Sequence, residues 1–150
     1  MNSQILTTIN SFIKKRIIES FGALIVLAGI FLLITIVSYS PSDPNFIYNP
    51  DNAEIKNVGG FYGSVVSDFF LQSLGLISIL LVFNFLFWGF KLINKKKINN
   101  FITKIFYTLV YLIFGTTVLN IFYNDSFWLI DNGNGGFVGG AIRNNIYYFT

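Results

Sequence analysis

The stretch that decides the fold is Ser38-Tyr39-Ser40-Pro41-Ser42-Asp43-Pro44, where a long apolar run gives way to a polar turn. Between Ile17 and Val37 the only charged residue is Glu19. About 20 apolar residues at about 1.5 Å each cross a hydrocarbon core of about 30 Å, and proline cannot continue a helix. The sequence therefore predicts a membrane-spanning helix over about 17–38 that ends at this turn.

Two further apolar segments have the length of membrane spans. We predict them over about 69–90 and 101–123, joined by a cytoplasmic loop over 91–100. A last segment over 137–150 would reach only about 21 Å as a helix, so it lies at the interface or is a truncated fourth span. We favour truncation, with this sequence a piece of a longer protein. The predicted fold class is all-α: a polytopic helical membrane protein with three complete spans and a truncated or interfacial fourth.

Composition supports the membrane class. Hydrophobic residues make up 53% of the chain and charged residues 11%, whereas a soluble domain carries about 25% charged residues. The 18 Phe and 8 Tyr do not indicate a soluble core, because the long segments have no polar face. The absence of Cys and His removes thiolate metal sites and the commonest general base. We predict no catalytic residue, no metal site and no cofactor.

The charged residues predict the orientation, because Lys and Arg accumulate in short cytoplasmic loops. Eight of the ten basic residues flank the first span or the loop after the second: Lys14, Lys15, Arg16, Lys91, Lys95, Lys96, Lys97 and Lys104. Six of the seven carboxylates lie on the opposite side. We therefore predict a cytoplasmic segment over 1–16 and an external loop over 39–68. The net charge of +3 is then explained by the Lys and Arg residues of the cytoplasmic segments, and it does not indicate nucleic-acid binding.

Polar and glycine residues around the second span form the remaining motifs. Gly59 and Gly63 are four residues apart, so on a helix they share a face and permit close helix approach; in a flexible loop they would not. Asn84 is the strongly polar residue near the centre of a span, and we predict an interhelical hydrogen bond for it. We predict that Asp68 is a carboxylate at the N-terminus of the second span, favoured there by the helix dipole.

Taken together, these motifs resemble the N-terminal membrane domain of the bacterial FtsK/SpoIIIE DNA translocases over roughly residues 17–142. The matching residues near the first two spans are Ser38 to Pro44, Asn57, Gly60, Gly63, Ser67, Asp68, Leu74 and Gly75. A Gly-Gly-x-x-Gly stretch at the entry of the family's fourth span is matched by Gly135, Gly136 and Gly139.

The resemblance implies a four-span anchor in the bacterial inner membrane, which holds a hexameric ATP-driven DNA pump at the division septum. It further implies a homo-oligomer in contact with membrane lipid and with membrane proteins of the division machinery. The family's motor needs a phosphate loop ending in Gly-Lys-Ser/Thr, but here Ala141 and Ile142 follow Gly140. We therefore expect no motor domain, no enzyme activity and no nucleotide or nucleic-acid binding in this segment.

The alternative function is a small standalone membrane transport or channel subunit. Channels and transporters line a path with charges, carbonyl rings or broken helices, and the predicted spans have few polar side chains and no proline.

The remaining scaffold predictions concern glycines at close helix contacts and aromatic residues at the membrane boundaries. The glycines are Gly22, Gly29, Gly75 and Gly115, and the aromatic residues are Tyr39, Trp88, Tyr123 and Trp128.

Overall fold

The computed structural model describes residues 2–48, 54–96, 100–126, 128–129 and 131–148, with side chains from residue 7 onward. These ranges form five α-helices and no strand. They are α1 (Asn2–Val37), α2 (Gly60–Leu74), α3 (Ser78–Lys95), α4 (Phe101–Phe122) and α5 (Gly136–Tyr148). A 3-10 turn, Gly75–Ile77, joins α2 to α3.

The all-α prediction is confirmed, because three helical segments are long and apolar enough to cross a membrane and a further helix follows them. The segments are Thr7–Val37, Gly60–Lys95 and Phe101–Phe122. The membrane boundaries predicted from the sequence, including the cytoplasmic segment 1–16, stay predictions.

Helix α1 is continuous from Asn2 to Val37, so described residues of the predicted cytoplasmic segment belong to the same helix as the first span. Its last residue, Val37, lies one residue before the predicted end at about residue 38. The Ile34 carbonyl oxygen, in the last turn of the helix, accepts both the Ser38 N–H at 3.1 Å and the Ser38 hydroxyl at 2.7 Å. The polar turn therefore closes the helix as well as following it.

The second helical segment differs from the prediction in where it begins. Helix α2 starts at Gly60, inside the stretch expected as the external loop over 39–68. The segment is also interrupted, because Gly75 has φ +63° and ψ −150°, a region of backbone conformation that is essentially restricted to glycine. The 36 residues of Gly60–Lys95 are thus two helices with a break.

Helix α1 packs along α3, α4 packs against α5, and α2 contacts both α1 and α5. The buried apolar core lies towards the α2 end of this arrangement. It contains Leu32, Ile36, Leu71, Val82 and Leu112. Many other apolar side chains face outward, such as Leu24 and Phe87 at 62% and 64% exposed. Outward apolar side chains all around long helices are the pattern expected of a protein surrounded by lipid.

An ion-pair cluster joins the middle of α1 to the C-terminal end of α3. The Glu19 carboxylate lies 2.6 Å from the Arg16 guanidinium and 3.3 Å from the Lys96 ammonium group. Lys96 follows the last residue of α3 and has a left-handed φ of 49°. Glu19, the isolated charge of the first span, is therefore paired at the end of the bundle that the sequence predicts to be cytoplasmic.

Candidate functional site

A hydrogen-bonded cluster covers the end of α1, and we call it the polar cap. It consists of Tyr39, Asp43, Asn57, Ser67, Asp68 and Gln72. Asp43 is only 3% exposed, and its two oxygens accept the backbone N–H groups of Lys56 and Asn57 at 3.1 and 2.7 Å. Since a carboxylate is stable when buried only if it is hydrogen-bonded or paired, these two bonds join the turn after α1 to the segment before α2.

Asn57 is the centre of the polar cap. Its amide nitrogen donates to the Thr35 carbonyl oxygen at 2.8 Å and to the Ser67 hydroxyl at 3.2 Å. Its amide oxygen accepts the Gly59 N–H at 2.9 Å. Helix ends leave carbonyl groups without an intrahelical partner, and Thr35 carries one of them. One side chain therefore caps α1 and at the same time binds the start of α2.

Asp68 is also part of the polar cap, but the reason predicted for it is wrong. It lies in the third turn of α2, and the helix dipole acts only within the first turn. Its carboxylate instead accepts the Tyr39 hydroxyl at 3.3 Å and the Asn45 amide at 2.9 Å. Burial raises the pKa of Tyr39 from 10.0 to about 12, so the hydroxyl keeps the proton that it donates in this bond even where an exposed tyrosine would begin to lose its own.

Glycines allow α1 and α3 to approach closely. A β-carbon at Gly22 would lie 2.9 Å from the Gly89 carbonyl oxygen, and one at Gly89 would lie 2.8 Å from the Gly22 carbonyl oxygen. Two turns further along α1, a β-carbon at Gly29 would lie 3.0 Å from the Phe85 β-carbon. The two backbones therefore touch where side chains would keep them apart, as in helix pairs packed through small residues.

The break between α2 and α3 is a second close contact. A β-carbon at Gly75 would overlap the Asn134 carbonyl oxygen, and one at Gly136 would lie 2.5 Å from the Gly75 nitrogen. The Leu76 N–H donates to the same Asn134 oxygen at 2.9 Å. The loop before α5 thus inserts into the break and supplies the acceptor that the interrupted helix lacks.

The other predicted residues are distributed around these contacts. The Asn84 amide on α3 donates to the Tyr111 hydroxyl on α4, which is an interhelical hydrogen bond of the kind predicted for Asn84. A β-carbon at Gly115 would lie 2.7 Å from the Ile77 side chain, and Gly139 packs on the Thr116 backbone. A β-carbon at Gly60 would meet nothing within 4 Å, and its distinguishing feature is a φ of +64°.

Three further placements complete the predicted set. Gly63 packs on the Asn57 amide group, so it makes room for the polar cap within this chain. The Tyr39 ring contacts Trp128 edge to face, with 5.5 Å between ring centroids. The hydroxyls of Ser40 and Ser42 lie 2.9 Å apart, and the Pro44 carbonyl oxygen accepts the Ser64 hydroxyl at 2.7 Å.

Sequence reasoning missed residues whose importance depends on distant neighbours. Gly89 was not predicted as a contact, although its position opposite Gly22 could have been found by aligning the first two spans antiparallel. Gln72 was not predicted as a contact either, but its amide oxygen accepts the Asn132 amide at 2.8 Å and its amide nitrogen donates to the Tyr39 hydroxyl at 3.1 Å. It therefore connects α2 with the loop before α5.

A polar cavity of about 670 Å³ lies between that loop, α4 and α5. Arg143 lines it and reaches the Asn120 carbonyl oxygen at 3.5 Å, while the amide oxygen of Asn120 is buried without a partner among the described residues. The described residues contain no group of three or more metal-ligating side chains. The features with structural support in the described part of the chain are helix contacts and a polar cap.

These features define the class as a polytopic helical membrane protein. The model of one protein family, the 4TM region of DNA translocase FtsK/SpoIIIE, matches residues 14–147. The chain therefore belongs to the FtsK/SpoIIIE 4TM family, and the resemblance predicted from its motifs is confirmed.

Curated relatives agree with the family model. The chain is similar to proteins named DNA translocase FtsK from Azospirillum brasilense (30% identical over 60% of this chain) and Mesorhizobium japonicum (21% over 89%). A third, from Rhizobium meliloti, is 24% identical over 93% of this chain. The matches span only 14%, 15% and 16% of those relatives. No solved structure gives a significant match.

Proposed function

We propose that this chain is the membrane anchor and assembly module of an FtsK-like DNA translocase in the bacterial inner membrane. The observation that carries the proposal is the family match over residues 14–147, which covers the helices and the polar cap together. Relatives matched over most of this chain are named DNA translocases, and the matched part is about a sixth of their length. An anchor is the function that a membrane-embedded part of such a protein would supply.

The packing supports an anchor that transmits force without deforming. Helices α1 and α3 are in backbone contact at Gly22 and Gly89, and the Glu19–Lys96 ion pair joins the middle of α1 to the residue that follows α3. A motor attached to the membrane pulls on its anchor, so a rigidly packed helix pair is favourable there. The same chain would form the platform on which a hexameric motor assembles, as the resemblance implies.

The exposed surface beside the polar cap is our candidate contact surface for membrane proteins of the division machinery. The polar cap is the hydrogen-bonded part of the chain on the side that the charge distribution predicts to be external. Exposed residues next to it, including Tyr48 and Val58, leave apolar surface accessible beside a fixed polar scaffold. Apolar surface with a polar rim is typical of protein contact sites.

The transport alternative gains no support from the polar side chains of the spans. The hydroxyls of Ser78, Thr108 and Thr116 donate to carbonyl oxygens three or four residues earlier in the chain. They are therefore engaged within their own helical segments and do not form a hydrophilic path. A flux assay with the chain in liposomes tests this alternative directly, and ion or solute movement above that of protein-free liposomes would support it.

The anchor proposal is tested by exchanging this chain for the matching region of the Rhizobium meliloti relative and attaching a fluorescent protein. We expect the chimera to insert in the membrane and accumulate at division sites. An unrelated three-span protein in the same position is the control and should insert without accumulating. Even distribution of the chimera would contradict septal recruitment, and failure to hold the motor at the membrane would contradict the anchor itself.

A further inference from the structure

The second helical segment is too long for the membrane it is expected to cross. Its 36 residues, Gly60–Lys95, would extend about 54 Å as a straight helix, compared with a hydrocarbon core of about 30 Å. The 3-10 turn and α3 together already reach about 31 Å. The 15 residues of α2 are therefore not needed to cross the membrane.

Contacts between α1 and the second segment show where α2 goes. Along α3 the two run antiparallel, with Gly22 beside Gly89 and Gly29 beside Phe85. Next to the break, Gln72 contacts Tyr39. A straight continuation would carry Gly63 about 18 Å beyond Gly75 and away from α1. Instead Gly63 lies against Thr35, about one turn before Tyr39. Helix α2 therefore folds across the end of α1.

The faces of α2 differ in a way that fits this position. The face packed on the protein consists of Gly63, Ser64, Ser67 and Leu71, which are buried. The opposite face is an apolar stripe with Tyr62 at 74% and Phe69 at 63% exposed and Val65 between them. Asp68 and Gln72 lie along one edge and join the polar cap. An apolar outer face with a polar edge is the pattern of a helix at the membrane–water boundary.

The apolar stripe continues onto the turn after α1. Phe46 contacts Phe61 edge to face, with 5.8 Å between ring centroids, and Phe61 contacts Tyr62 at 6.0 Å. Ile47 next to Phe46 is 97% exposed. Aromatic residues are enriched at the boundary between hydrocarbon and headgroups, where an apolar ring with a polar edge is stable.

From these observations we propose that α2 is an interfacial helix, which lies along the outer leaflet with Tyr62, Val65 and Phe69 buried in lipid. The partner of this surface is the headgroup and acyl boundary of the bilayer. The second membrane crossing then consists of the 3-10 turn and α3, rather than of residues 69–90. This inference concerns the position of one helix and holds whether or not the chain anchors a motor.

The sequence contains no cysteine, so single-cysteine variants allow the depth of each position to be measured with a spin label in lipid nanodiscs. Labels at Tyr62, Val65 and Phe69 should report depths that differ by no more than a few Å. Matched labels at Leu24, Leu27 and Phe31 on α1 have the same spacing and should span about 10 Å, because that helix crosses the membrane. Circular dichroism of each labelled variant checks that the helices are retained.

Two results would overturn the proposal. A depth gradient along α2 equal to that along α1 would mean that α2 crosses the membrane. Full accessibility of all three α2 labels to a water-soluble relaxing agent would mean that the stripe faces water. The additional fluorescence of Phe69→Trp over that of the wild type, which contains Trp88 and Trp128, gives the same distinction when it is quenched by lipids brominated near the headgroup or at the chain ends. We expect stronger quenching by the bromines near the headgroup.

Discussion

Helix α1 is packed by different means in its middle and at its C-terminal end. At Gly22 and Gly29 it contacts α3 through bare backbone and apolar side chains. At Thr35 and beyond, buried polar groups hold it to the turn and to α2 through the polar cap. Close backbone approach is therefore sufficient to pack α1 against its neighbour where both segments are regular helices. Hydrogen-bonding side chains are needed where they are not.

The largest loss of stability is expected for a substitution at Gly75, where a close backbone approach and a hydrogen bond to the same loop occur together. Alanine there adds a strained left-handed φ to an overlap with the Asn134 backbone, and we expect a loss of about 3–4 kcal/mol in the free energy of unfolding. Gly60 is the matched control, since its φ is +64° but a β-carbon would meet nothing within 4 Å. Gly60→Ala should cost about 1–2 kcal/mol.

Denaturant titration of both variants in detergent, followed by circular dichroism, measures the difference. Equal losses for Gly75→Ala and Gly60→Ala would mean that the inserted loop contributes no more than backbone conformation does.

The second prediction concerns a substitution that weakens only the polar cap. Asp43→Asn keeps the shape of the side chain but replaces one acceptor oxygen by a donor facing a backbone N–H. We expect a loss of about 2 kcal/mol, because hydrogen bonds to charged groups contribute about 1.5–3 kcal/mol. Glu54→Gln, an exposed change in the same segment, should stay within about 0.5 kcal/mol. If both variants unfold at the same denaturant concentration, the Asp43 bonds are not stabilising.

The third prediction concerns a substitution that weakens only the contact between α1 and α3. Gly89→Ala places a methyl group 2.8 Å from the Gly22 carbonyl oxygen and 2.9 Å from the Val26 nitrogen. We expect the overpacking to lower the free energy of unfolding by about 2 kcal/mol, and the higher helix propensity of alanine to return about 1 kcal/mol. The expected net loss is therefore about 1 kcal/mol. Gly140→Ala in α5 has its nearest atom at 3.6 Å and should be neutral or stabilising. A gain in stability for both would show that α1 and α3 can separate without cost.

The smallest effect concerns the pH range over which the polar cap persists. The pKa of Tyr39 rises from 10.0 to about 12 on burial, so the folded chain retains a proton that the unfolded chain loses. Stability from this group is complete below pH 10 and is lost as the pH rises towards 12. The tyrosinate absorbance of the wild type minus that of Tyr39→Phe should therefore titrate near pH 12. A midpoint near 10 would mean that Tyr39 is open to water.

Much of the fold could be predicted because it depends on local composition. The apolar length of α1 and the prolines after it specify a spanning helix and its end to within one residue. The start of α2 could not be found, because Gly60-Phe61-Tyr62-Gly63 reads equally well as a loop. Its helical form is favoured by Asn57 and Thr35, which are brought there by the turn. The predicted role of Asp68 was wrong for the same reason, since it depended on that helix start.

The candidate site shows the same division. Gly22, Gly29 and Gly115 could be chosen as contact points because a glycine in an apolar helix has few other uses. Gln72 and Asn134 could not, since nothing local indicates that one joins α2 to a loop and the other enters a helix break. Their partners are far away in the sequence.

The sequence by itself determined the class of the protein, the number of long apolar helices, the end of the first helix and the family to which the chain belongs. Those properties follow from the free energy of placing residues in hydrocarbon, which is summed over neighbours in the chain. Only the tertiary structure decided that Asn57 caps α1, that a loop fills the break at Gly75 and that α2 folds across the end of α1. These depend on hydrogen bonds and contacts between distant segments, and their geometry exists only after the helices have packed.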